Sequence, residues 1–82
     1  MTIYALFVCS HLLGYCELSY RLLPVPGVGV VQNRFASLAL CREYASKYLG
    51  RAPGKDGRWH MPRGGTWVCF GRDVNAWHEV NP

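Results

Sequence analysis

At 82 residues the chain has room for one domain (1–82), of a size that buries only about 60–65% of its unfolded surface. Half of its residues are hydrophobic, 13% are aromatic and 17% are charged, the composition of a folded globular chain and far from the charged, aromatic-poor profile of disorder. The net charge of +4 is uneven: residues 1–33 are neutral, residues 34–72 set eight basic side chains against Glu43 and Asp56, and the tail holds Asp73 and Glu79.

Residues 3–10 alternate Ile3, Ala5, Phe7 and Cys9 with Tyr4, Leu6 and Val8. Both faces are apolar, the pattern of a central strand covered on both sides or by a partner chain. The apolar stretch of residues 3–15 is broken by Ser10 and His11 and falls short of the roughly 20 residues that span a bilayer. No Lys or Arg precedes it and no small-residue cleavage site follows it, so it does not read as a secretory signal. After Gly14, residues 16–22 carry β-formers in loose alternation and are read as a strand; Pro24, Val25 and Pro26 then form a stiff segment that cannot be a mid-sheet strand. Residues 27–32, GVGVVQ, return to β-branched character and are read as the next strand.

Ser37 supplies a side-chain oxygen for a helix N-cap, and the residues that follow contain no Gly or Pro until Gly50, which is placed to end the helix. The expected helix covers residues 38–49, with Leu38, Cys41, Ala45, Tyr48 and Leu49 on one stripe. Phe35 is placed to pin its entry onto a sheet. Glu43 and Lys47 form an i,i+4 pair in the favourable order. After a Gly/Pro-rich loop, residues 58–61 and 66–71 read as a hairpin joined by PRGG. Its second strand again carries bulk on both faces, with Val68 and Phe70 opposite Trp67 and Cys69. The tail from Asp73 either opens a short helix or runs extended. The expected fold class is α+β: a small antiparallel sheet of four to five strands with one helix packed on a face, in the order β-β-β-α-β-β.

Chemistry-bearing motifs are sparse. Residues 50–55 are one residue short of a Walker loop, lack its hydroxyl and lie between a helix and a strand in the wrong order. Cys9, His11 and Cys16, or His60, Cys69 and His78, offer metal-ligand types without the close spacing that positions two ligands together. The four cysteines are spread along the chain, and packed, reduced thiols are the expectation, with a Cys41–Cys69 disulfide open if the helix covers the last strand. The five acids are dispersed and no cysteine lies in a nucleophile motif, so no enzyme activity and no cofactor are expected. A positive half-chain favours acidic partners. Arg51, Lys55, Arg58 and Arg63 surround Trp59, and these five residues are the expected partner-binding site, with Trp59 its anchor if it faces outward. The same residues, with His60, Trp67 and Phe70, offer nucleic acid both charge and stacking faces, although no nucleic-acid-binding signature is present. The competing reading puts Trp59, Trp67 and Phe70 in the core.

The residues Phe35, Ser37, Cys41, Ala45 and Cys69 resemble a pattern in small orphan proteins of phages and mobile elements, among them anti-CRISPR proteins. That resemblance implies a cytoplasmic inhibitor that occupies the surface of a bacterial defence complex; the basic charge departs from DNA-mimicking members. The partners expected are thus an acidic protein surface, with nucleic acid as the alternative and a dimer paired through a strand edge as a third. No membrane partner is expected.

Overall fold

The computed structural model describes residues 2–10, 12, 14–62, 64–73 and 76–79. Its elements are β1 (Ile3–Ser10), β2 (Tyr15–Leu18), β3 (Leu22–Val25), β4 (Gly29–Gln32), α1 (Leu38–Leu49), β5 (Arg58–His60), β6 (Gly65–Asp73) and β7 (Ala76–Glu79). Five strands form an antiparallel sheet in the order β2-β1-β6-β5, with β7 also paired to β6. Since β1 occupies one edge of β6 along nearly its whole length, β5 and β7 share the other edge end to end, β5 against residues 66–68 and β7 against residues 70–73.

The expected α+β architecture is the one observed, and β1 is the central strand that its two apolar faces demand. Residues directly opposite in the ladder share a face. One face carries Leu6, Trp59 and Cys69 beneath Cys41 and Ala45 of α1, all at most 2% exposed. The other carries Ala5, Phe7, Cys9 and Val68, with Phe70 and Trp77 packed beside them. Phe7 stacks on Phe70 at 4.4 Å between centroids and meets Trp77 at 5.1 Å.

The helix is set by its ends. Ser37 Oγ accepts from the Leu40 N–H at 3.1 Å, and Gly50 closes it at φ 73°, a left-handed conformation costly for any residue with a Cβ. Phe35 enters through a two-hydrogen-bond bridge with Tyr4, which holds the start of α1 against β1.

Local differences from the sequence reading have physical causes. The strand expected over residues 16–22 is instead β2, which ends at Leu18, and β3, which starts at Leu22. Pro24 lies inside β3, tolerated because β3 belongs to a separate two-stranded ribbon with β4. Gly27 belongs to the turn, not to the strand: with Pro26 before it, φ 77° and a Val28 N–H to Val25 carbonyl bond of 3.0 Å, it makes a type II turn. The tail runs extended as β7.

The expectation of reduced, packed thiols is corrected. Cys9 and Cys16 are direct cross-strand partners on β1 and β2 and form a disulfide. Cys41 and Cys69 form a second one between α1 and β6, the pairing left open by the sequence. No helix among the described residues is long and apolar enough to cross a membrane.

Candidate functional site: an arginine-lined groove

Of the cationic loop read from the sequence, the tryptophan does not face outward. Trp59 is 1% exposed: it faces α1, opposite Trp67 on β6, and its indole N–H donates to the Arg51 carbonyl at 3.1 Å. It is a core residue, and the condition for its role as an anchor is not met. Arg58, its neighbour on a strand, points to the opposite face by pleat alternation and is held bidentate by Glu79, with the Nε–Oε2 bond at 2.8 Å. That hydrogen bond raises the Arg58 pKa further and neutralises the charge locally. It also ties β5 to β7 where the two meet on β6, since Arg58 lies opposite Val68 and Glu79 opposite Phe70. Arg51 donates to the His60 carbonyl and to Met61 Sδ. Lys55 is exposed, and Arg63 lies outside the described residues.

His60 pairs with Asp56 at 2.6 Å, and this hydrogen bond, with that from the Arg58 N–H, lowers the Asp56 pKa. Of the residues considered for metal binding, Cys9, Cys16 and Cys69 are consumed by disulfides, His78 is exposed on β7 and His11 lies outside the described residues.

The sheet instead gathers three other arginines. Ile3, Arg72 and Trp77 lie side by side on β1, β6 and β7, forming one cross-strand row on the face without the helix. Arg72 sits over the Trp77 ring at 5.9 Å, a cation–π contact that holds the guanidinium in place. Above this row, the ribbon brings its two ends together through the Asn33 N–H, which donates to the Arg21 carbonyl at 2.9 Å, and the Arg34 N–H turns back on the Gln32 carbonyl at 2.8 Å just after β4. Arg21, Arg34 and Arg72 therefore line one groove of about 590 Å³, along with the apolar side chains Ile3, Leu18, Leu22 and Trp77. The ion pairs among the described residues are Glu43–Lys47, Arg58–Glu79 and Asp56–His60; none includes an arginine of the groove.

Asn33 is the residue on which this geometry rests. It is 8% exposed. Its Oδ1 accepts from the Leu6 N–H at 2.8 Å, and its Nδ2 donates to the carbonyls of Leu6 and Tyr20, each at 2.9 Å. Beyond Leu18 β2 no longer pairs with β1; the Leu6 carbonyl still accepts from the Ser19 N–H at 3.1 Å, but the Leu6 N–H would lack a ladder partner on that side. The Asn33 amide supplies one, joining both ends of the ribbon to the central strand. Sequence reasoning missed the groove because Arg21, Arg34 and Arg72 are far apart in the chain; the signal for two of them was the hairpin signature between Arg21 and Asn33, which implies that its flanks meet.

No family model, curated protein or solved structure matches this chain.

Proposed function

We propose that the protein is a non-enzymatic binding module that holds an acidic partner protein in the arginine-lined groove. The single observation that carries this reading is the convergence of Arg21, Arg34 and Arg72 on one groove with no carboxylate partner among the described residues. Guanidinium forks match carboxylates bidentately and are weakly hydrated, which suits them to interfaces. The apolar half of the lining, Ile3, Leu18, Leu22 and Trp77, fits aliphatic side chains between the acids of a partner segment.

Nucleic acid is the less favoured occupant for a stated reason. The aromatic residues that the sequence offered for stacking, and Trp77 of the groove, are engaged: Trp59 is buried, Phe70 is stacked on Phe7, Trp67 packs against Tyr48, and Trp77 meets Arg72 and Phe7. An exposed stacking platform, which gives single-strand binders much of their affinity, is not supplied by these residues.

The anti-CRISPR-like reading asks for a partner in the cytoplasm, where thiols are kept reduced. Two disulfides weigh against that compartment, so we place the acidic partner in an oxidising one. Residues 3–10 are not the export signal in this scheme, because they form the central strand.

The test is fluorescence anisotropy with a labelled short peptide alternating Glu with Leu, and with a labelled single-stranded oligonucleotide. The peptide is expected to bind at low salt and to weaken about tenfold or more on raising ionic strength to about 0.15 M; the oligonucleotide is expected to bind more weakly at every salt concentration. Tighter oligonucleotide binding would replace the protein partner with nucleic acid.

A further inference from the structure

The ribbon of β3 and β4 stands apart from the main sheet, and we infer that its β4 edge pairs with β4 of a second copy of this chain, making a two-fold dimer. The inference is independent of the groove's occupant. Residues 22–32 contain no charged side chain in a chain of net charge +4. Two copies meeting on this surface bring no charged side chains of the ribbon together, so the electrostatic repulsion that opposes association of like-charged molecules is small there. It is also apolar and solvent-facing: Val28 is 76% exposed, Val30 61% and Leu22 54%, well beyond isolated surface hydrophobes.

The two edges of the ribbon are not equivalent. The hydrogen bond from the Asn33 N–H to the Arg21 carbonyl sets the alternation of the antiparallel ladder, which makes Leu23–Val31 and Val25–Gly29 the mutually bonded pairs and turns Leu22, Pro24, Val30 and Gln32 outward. On the β3 side, Pro24 has no N–H to offer, and its carbonyl accepts from the Tyr44 hydroxyl at 2.7 Å. That edge is closed. On the β4 side the outward groups belong to Val30 and Gln32, in a strand whose four residues are all exposed and which has none of the charged, proline or bulged features that protect an edge. The Gln32 carbonyl accepts from the Arg34 N–H at 2.8 Å and keeps its second lone pair for a partner. Antiparallel pairing about a two-fold axis at Val31 sets Val30 of each copy opposite Gln32 of the other, and turns two short ribbons into one four-stranded sheet. The interface is isologous, so it closes at two copies.

Sedimentation equilibrium of the oxidised protein tests this. The weight-average mass is expected to rise from 9.3 kDa toward twice that value between about 10 μM and 1 mM, the range of a small interface. Val30→Pro removes an outward N–H without touching a bond within the ribbon, and Val30→Lys places a charge on the edge; both are expected to stay monomeric over the same range. Circular dichroism of each variant establishes that it is folded, and amide exchange of Val30 and Gln32 in the wild type, slowing with concentration, reports the pairing directly. A wild-type mass constant at 9.3 kDa, or folded variants that associate like the wild type, would overturn the inference.

Discussion

Reduction of the two disulfides is expected to unfold the protein at ambient temperature or to lower its melting temperature by at least about 20 °C. The separations are 28 residues for Cys41–Cys69 and 7 for Cys9–Cys16, for which the chain-entropy model gives about 3.5 and about 2.5 kcal/mol. A domain of this length has about 4–12 kcal/mol in total, so losing both links removes a large part of its stability. Cys41→Ala/Cys69→Ala is expected to cost more than Cys9→Ala/Cys16→Ala, because the former also detaches α1 from β6 at the centre of the core. Alkylation in denaturant before and after reductant, read by mass, checks the premise: no labelled thiol before and four after. Four labelled thiols without reductant would return the cysteines to packed thiols and restore the cytoplasmic partner to first place.

Asn33→Ala is expected to destabilise the fold by about 2–4 kcal/mol, measured by urea unfolding. The substitution leaves the Leu6 N–H without its partner inside a residue of zero exposure, at about 1–3 kcal/mol, and removes the bond to Tyr20 as well. Arg21 and Arg34 flank the lost anchor, so peptide binding should weaken too, although neither arginine is altered. A cost below about 0.5 kcal/mol, the range of unremarkable surface changes, would mean that the ribbon is not held through Asn33.

A smaller effect follows at the other attachment of the ribbon. Burial, with Tyr48 adding to it, raises the Tyr44 pKa. The hydroxyl that donates to Pro24 is thus protonated and stabilising below the ordinary tyrosine range, and this contribution is lost as pH rises through the raised value. Tyr44→Phe should speed amide exchange at Leu23 and Val31 about 3- to 10-fold at neutral pH.

How far these features could be read in advance depended on how locally they are encoded. Ser37 and Gly50 specify α1 through their own neighbours, and the apolar alternation of β1 implied its central place. The groove is encoded otherwise. Arg51, Lys55, Arg58 and Arg63 are close in sequence, yet strand alternation sends Arg58 and Trp59 to opposite faces, and Glu79 reaches Arg58 only because β5 and β7 share an edge of β6. Arg72 meets Arg21 and Arg34 only once the register of the sheet and the closure of the ribbon are known. The Cys9–Cys16 link likewise needed the β1–β2 register, which places those two residues opposite each other.

The groove is tested most directly by two variants with the same loss of charge. Arg21→Gln/Arg34→Gln/Arg72→Gln removes the groove's cations, and Arg42→Gln/Lys47→Gln/Lys55→Gln removes three elsewhere; each lowers the net charge from +4 by the same amount. In anisotropy titrations of the Glu/Leu peptide at low salt, the first is expected to weaken binding at least tenfold, about 1.4 kcal/mol, and the second less than threefold. Equal losses in the two variants would show that overall charge, and not the groove, attracts the acidic partner.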